Sequence, residues 1–127
     1  MNISIIIAGE EHYKFAQEIV DTMYESAIQR GTGIAKRTPE YIIEKMKHKD
    51  AVIAIGDGKF AGFCYIESWS HGKFVANSGL IVHPDFRQHG LAKKIKERVF
   101  NYSQEKYPGA KIFGITTGLA VMKINSD

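Results

Sequence analysis

Apolar residues change their period several times along this chain, and each change marks an element. Residues 3–8 form a short continuous apolar run, which predicts a first strand, β1. After Gly9-Glu10-Glu11, the residues Phe15, Ile19, Met23 and Ala27 recur every four positions, the spacing of one helical face. That pattern predicts a helix, α1, over residues 9–31, stopping at Gly31-Thr32-Gly33. Thr38-Pro39-Glu40 then has the form of a helix start, with Thr38 as N-cap and Pro39 at the first helical position. Tyr41, Ile42 and Met46 supply the buried stripe of this second helix, α2.

From residue 51 the period shortens. Residues 51–55 (β2) and 59–68 (β3) are apolar or β-prone runs on either side of Gly56-Asp57-Gly58, whose Asp-Gly pair is a hairpin signal. Ser70-His71-Gly72-Lys73 gives a second turn, and residues 74–82 (β4) complete an antiparallel meander. Leu91, Ile95, Val99 and Tyr102 line one side of a further helix, α3, which ends before Pro108-Gly109. Residues 111–117 read as β5 and residues 118–127 as the beginning of α4. Because β4 and β5 flank a helical crossover, they are expected to run parallel. The predicted order is β1-α1-α2-β2-β3-β4-α3-β5-α4, an α+β fold with a mixed, mostly antiparallel sheet flanked by helices. No linker or repeat interrupts it, so residues 1–127 are expected to form a single domain.

Composition narrows the function classes. The chain has 127 residues, 44% hydrophobic and 24% charged, the balance of an ordinary globular domain. No stretch approaches the roughly 18 uninterrupted apolar residues of a membrane helix. The amino terminus carries no basic region ahead of its apolar run, so a cytoplasmic protein without a membrane partner is expected. Cys64 is the only cysteine, which excludes an internal disulfide and a multi-cysteine metal site; no metal is expected. Its place in an apolar strand points to inert packing. The net charge of +3 is mild and its cations are dispersed, which gives nucleic-acid binding little support.

The chemistry concentrates between β4 and α3, in Val82-His83-Pro84-Asp85-Phe86-Arg87-Gln88-His89-Gly90-Leu91-Ala92-Lys93. A strand passing through a glycine-bearing turn into a helix leaves first-turn N–H groups without intrahelical partners, and the helix dipole adds positive potential there. Such a turn holds a phosphate or pyrophosphate. The spacing Arg87-x-x-Gly90-x-Ala92, directly after Gly79-Leu80-Ile81-Val82 and His83-Pro84, resembles the acyl-CoA signature of the GNAT acyltransferase superfamily. The element order is similar to the GNAT fold from its first strand through its fourth helix.

The resemblance implies acetyl-CoA or another acyl-CoA as co-substrate. The backbone of Leu80, Ile81 and Val82 would bond the pantetheine arm, and the amides of Gln88, Gly90, Ala92 and Lys93 would hold the pyrophosphate. Arg87 would order the turn or reach phosphate, His89 and Leu91 would line it, and His89 and Lys93 could add charge near the 3′-phosphate. The implied reaction is attack of a neutral amine on the thioester carbonyl, with deprotonation of an ammonium, oxyanion support from a β4 amide and departure of the thiolate. Glu67 is the candidate base: it lies on β3 in an aromatic face with Tyr65 and Trp69, where loss of solvent strengthens a carboxylate as proton acceptor. His71 and His83, both in turns, are alternative relays through water. Many GNAT members protonate the thiolate with a tyrosine of α4. Here Ala120 matches the accompanying alanine, but Met122-Lys123-Ile124-Asn125 contains no tyrosine, and Asn125 is the residue expected in that region.

In this fold the α1–α2 connection covers the acceptor. Residues 30–38 carry three cations, Arg30, Lys36 and Arg37, and no acid. Arg37 is suited to a bidentate grip on a carboxylate, with Lys36 or Arg30 as a second charge. A small amine acceptor with an acidic, amino-acid-like character is therefore favoured over a polycation, as in N-acylglutamate synthases. Gly31-x-Gly33 is weak as a phosphate motif because it follows a helix and lacks a Gly-Lys-Ser/Thr ending. GNAT domains normally add two more strands after α4, so the expectation is a domain lacking them, with β5 at an open edge. A shortened gene product and a homodimer covering that edge are the two explanations. A non-catalytic acyl-CoA-binding or regulatory module is the alternative to an N-acetyltransferase.

Overall fold

A computed structural model describes residues 2–31 and 37–114. Among them, β1 (Ile3–Ile7), β2 (Ala51–Gly56), β3 (Lys59–Trp69), β4 (Phe74–Val82) and β5 (Lys111–Gly114) form one sheet in sequence order. The first four are antiparallel neighbours and β5 lies parallel to β4, as the crossover through a helix requires. The helices are α1 (Ala16–Arg30), α2 (Pro39–Lys47) and α3 (Leu91–Lys106). The expected extension of β5 over residues 115–117 and the helix at 118–127 lie outside the described residues.

Period-2 alternation along β3 divides the core. Phe63 and Tyr65 face α1 and α2, packing with Ile19, Ile42 and Met46, whereas Cys64 and Ile66 face α3, packing with Ile95 and Val99. Ile19, Ile42, Met46 and Ile95 are completely buried, and each such side chain stabilises the fold by roughly 1.5–3 kcal/mol. The Cys64 thiol donates to the Ser78 carbonyl at 3.3 Å, and burial pushes its pKa up to about 12, so it packs as an inert hydrophobe.

One predicted helix proves to be two pieces. Glu10–Phe15 is a 3-10 turn, and α-helix begins only at Ala16. The Gly9 N–H donates to His12 Nδ1 at 3.0 Å while the His12 N–H donates to the Gly9 carbonyl at 3.0 Å. This reciprocal pair favours the tighter i→i+3 winding over a regular first α-turn.

Two features of β4 and α3 shape the rest of the molecule. Tyr65 pairs with Ser78 and Phe63 with Ile81, so two residues of β4, Gly79 and Leu80, oppose the single Cys64 of β3. This is a β-bulge, and Gly79 occupies it with φ +68°. Buried Asn77 donates to the Ser103 Oγ at 2.9 Å, and that hydroxyl donates to the Val99 carbonyl at 2.7 Å, fixing α3 on the sheet next to the bulge. At its far end α3 is tied down again. Lys106 Nζ lies 2.7 Å from Asp50 Oδ1 and donates to the His48 carbonyl at 2.6 Å, while the Tyr107 and Tyr102 hydroxyls donate to Asp50 and the Lys49 carbonyl at 2.7 Å each. Burial and the bond to Asp50 push the Tyr107 hydroxyl up to about 12.

Candidate active site

The parallel pairing of β4 with β5 runs from Phe74–Lys111 to Asn77–Gly114. Beyond it, Ser78 to Val82 have no strand partner on that side among the described residues. Leu80 in the bulge, and Ile81 and Val82 beyond it, thus lie along an edge to which an extended ligand can add as a short strand. Past Val82, His83 starts a 3-10 turn (Pro84–His89) by accepting the Asp85 N–H on its Nδ1 at 3.1 Å. Arg87 Nε donates to the Val82 carbonyl at 3.1 Å, so Arg87 pulls the turn back onto the end of β4.

Gln88 and His89 complete that turn, and Gly90 follows as N-cap of α3 with φ +63°. A side chain at Gly90 would meet nothing within 4 Å, leaving the approach to the first-turn amides of Leu91, Ala92 and Lys93 open. Leu91 is buried, whereas Ala92 and Lys93 are exposed. An anionic group at this helix start and an extended arm along the β4 edge fit one continuous ligand. The three residue steps from Gly79 to Val82 span roughly 10 Å at strand rise.

On the opposite side of the bulge the structure gathers residues that the sequence kept apart. Tyr41 of α2 donates its hydroxyl to Glu67 Oε1 at 2.8 Å, and Arg37 Nε donates to the Tyr65 hydroxyl at 2.8 Å. The two tyrosine rings meet edge-on at 5.7 Å. The Arg37 guanidinium lies 5.7 Å from the Tyr41 ring centre, and Lys45 Nζ lies 5.6 Å from that ring while donating to the Ile66 carbonyl at 2.8 Å. Arg37 and Glu67, expected as acceptor clamp and base, therefore belong to one cluster.

Electrostatics keep Tyr41 and Arg37 protonated. Burial, followed by the bond to Glu67, drives the Tyr41 pKa well upward. Burial opposes the charge of Arg37, but the Tyr65 hydroxyl and the proximity of Tyr41 and Glu67 outweigh it and raise its pKa. Tyr65 is 1% exposed, and its ring lies directly over Gly79: a Cβ there would come within 2.2 Å of Tyr65 Cε1. Tyr65 thus spans from the bulge to Arg37.

Sequence patterns identified Tyr41 only as part of a buried stripe and Tyr65 only as part of an aromatic face, and they did not mark Lys45. The one available signal is the N-cap: Thr38 accepts the Tyr41 N–H at 3.1 Å, which fixes Tyr41 in the first turn of α2. Trp69, also on that face of β3, is 47% exposed near the hairpin end. His71 sits in the exposed Ser70–Gly72 turn. His83 stands 3.5 Å from Glu18 Oε2 and lines a cavity of about 290 Å³ with Phe15, Phe60 and Phe86. Arg30 is the last residue of α1, while Lys36 and Asn125 lie outside the described residues. Among the described residues there is no metal-binding cluster and no helix long and apolar enough to cross a membrane.

Several solved structures share this fold. N-acetylglutamate synthase from Neisseria gonorrhoeae, complexed with coenzyme A and N-acetyl-glutamate, superimposes with a TM-score of 0.71 at 15% identity, over 94% of this chain and 26% of that one. The loading GNATL domain of CurA from Lyngbya majuscula gives 0.72 at 11% identity, covering 91% and 65%. Diaminobutyrate acetyltransferase EctA from Paenibacillus lautus, in complex with L-2,4-diaminobutyric acid and coenzyme A, gives 0.71 at 13%, covering 97% and 70%. The chain thus spans only 26% of the synthase's length. No curated protein sequence matches it. The model of the acetyltransferase (GNAT) family matches residues 20–120, and the chain belongs to that family.

Proposed function

We propose that this chain is an acyl-CoA-dependent N-acyltransferase, with acetyl-CoA as donor and a small amine bearing a carboxylate, an amino acid or close analogue, as acceptor. The observation that carries the reading is the union of Arg37 and Glu67 through Tyr65 and Tyr41, on the far side of the bulge from the β4 edge. A carboxylate-binding cation and a proton-accepting carboxylate in one cluster match the two ends of an amino acid. Support comes from the family match and from relatives solved with coenzyme A and amino-acid ligands.

In this reading residues 1–127 form one acyl-CoA-binding domain. The amides of Gln88, Gly90, Ala92 and Lys93 hold the pyrophosphate, Arg87 keeps that turn in place, His89 and Leu91 line it, and Leu80, Ile81 and Val82 bond the extended arm. The bound co-substrate supplies the activated acyl carbonyl. Arg37 holds the acceptor carboxylate, with Arg30 and Lys36 adding charge, and Glu67 takes the proton that the ammonium must lose before it can attack. A β4 amide at the bulge supports the charge that develops on the carbonyl oxygen.

The test is thiol release from acetyl-CoA across a panel of amino acids and their decarboxylated analogues. Turnover that depends on the acceptor carboxylate and falls at least about 100-fold in Arg37→Ala is the expected result; removing a charge-assisted grip costs about 3 kcal/mol or more when its partner is left unpaired. Equal turnover of an amino acid and its decarboxylated analogue would refute the acceptor class.

A further inference from the structure

We propose that Tyr41 is a positioning residue for the Glu67 carboxylate, holding Oε1 so that Oε2 receives the acceptor's proton; this rests on Glu67 serving as the base. The Tyr41 hydroxyl donates to Glu67 Oε1 at 2.8 Å. A carboxylate on a strand has two free torsions before its terminal one, and a fixed donor removes that freedom.

Tyr41 is itself immobilised from several sides. Its N–H is capped by Thr38, its ring meets that of Tyr65 edge-on, and the Arg37 and Lys45 cations lie over its face. From α2 the Tyr41 hydroxyl reaches Glu67, and the Arg37 guanidinium in the segment before that helix lies near enough for the two charges to interact. Across the sheet the paired residue of β4 is Ala76, which carries no charge. The Tyr41 hydroxyl is thus a fixed donor to one oxygen of the carboxylate.

The proton balance is simple. The acceptor ammonium loses one proton to Glu67 Oε2, which yields a neutral amine and a carboxylic acid. Tyr41 keeps its own proton throughout, consistent with a hydroxyl made less acidic by burial and by the carboxylate beside it. Its contribution is orientation of the carboxylate.

Tyr41→Phe separates this role from packing, since it retains the ring and removes only the donor. The expected result is a kcat lowered about 10-fold with an unchanged KM for acetyl-CoA. KM for the amine changes little as well, because the donor acts on the carboxylate and not on either ligand. The carbon-13 resonance of the Glu67 carboxyl, followed at one fixed pH in protein labelled at glutamate, changes when its hydrogen-bond donor is removed and needs no turnover. An unchanged kcat and an unchanged Glu67 resonance in Tyr41→Phe overturn the proposal. Full activity in Glu67→Gln overturns the base assignment beneath it, and a wild type that releases no thiol from acetyl-CoA with any amine overturns the acyltransferase reading as a whole.

Discussion

Replacing Gly79 by alanine tests whether the β4 bulge and Tyr65 form one packed unit. Two costs add. At φ +68° a residue with a Cβ pays roughly 1–2 kcal/mol of backbone strain. The new methyl would stand 2.2 Å from Tyr65 Cε1, 2.7 Å from Cδ1 and 3.1 Å from Met23 Cε, so the ring must move, an overpacking cost of about 1–3 kcal/mol. Tyr65 cannot swing away freely, because its hydroxyl is engaged by Arg37 and its ring by Tyr41. The sum is about 2–5 kcal/mol, or a fall in Tm of about 7–18 °C at the per-residue unfolding entropy of a chain this size.

Gly90→Ala supplies the control in the same thermal-unfolding assay. Its φ of +63° carries a similar backbone penalty, but nothing lies within 4 Å of the added methyl. Alanine is also a poorer N-cap than glycine, which lowers the control further and makes the difference between the two variants a lower limit on the Tyr65 contact. If Gly79→Ala melts within about 3 °C of Gly90→Ala, the ring is not confined over the bulge and the reasoning fails.

Two other outcomes are expected. Gly90→Asp weakens coenzyme A binding by about 10–100-fold in isothermal titration, since a carboxylate roughly 5 Å from a bound pyrophosphate costs a few kcal/mol at an effective dielectric near 20, while Gly90→Asn, equally tolerant of the left-handed conformation, stays within about 5-fold; matching losses in both variants would remove the electrostatic account. His12 accepts the Gly9 N–H only when unprotonated, and burial lowers its pKa below 6.5. The unfolded chain therefore takes up the proton first: this contribution to stability is complete above pH 6.5 and is lost as pH falls through the folded value. Urea midpoints at about pH 7.5 and 5.5 should lie closer together in His12→Asn, which keeps an acceptor that does not titrate. An equal spread in both proteins would dissociate His12 from the acid sensitivity.

The parts of the fold that were legible in the sequence are those set by local chemistry. The cap at Thr38, the Asp57-Gly58 turn, the alternating faces of β3 and the four-residue spacing of Leu91, Ile95 and Val99 each act over a few residues, and each appears where the pattern puts it. The parallel pairing of β4 with β5 followed from connectivity. The 3-10 turn at Glu10–Phe15 escaped because its start is held by a histidine ring nitrogen that caps the Gly9 N–H, and periodicity carries no trace of that. The bulge escaped for a related reason: one extra residue in β4 alters the register without altering composition. At the site, Glu67 and Arg37 were visible as isolated charges. Their meeting depends on Tyr41 and Tyr65, separated from them by 26 and 28 positions, and a contact at that range is set by how α2 lies on the sheet.

The knot of Asp50, Lys106, Tyr102 and Tyr107 joins the tail of α3 to the stretch immediately after α2. Both helices are therefore anchored at their carboxyl ends to the same short stretch, although they pack on opposite faces of the sheet. One carboxylate thus serves two layers of the fold. Removing it strands the Lys106 ammonium and the Tyr107 hydroxyl, so Asp50→Ala loosens the tails of α2 and α3 together.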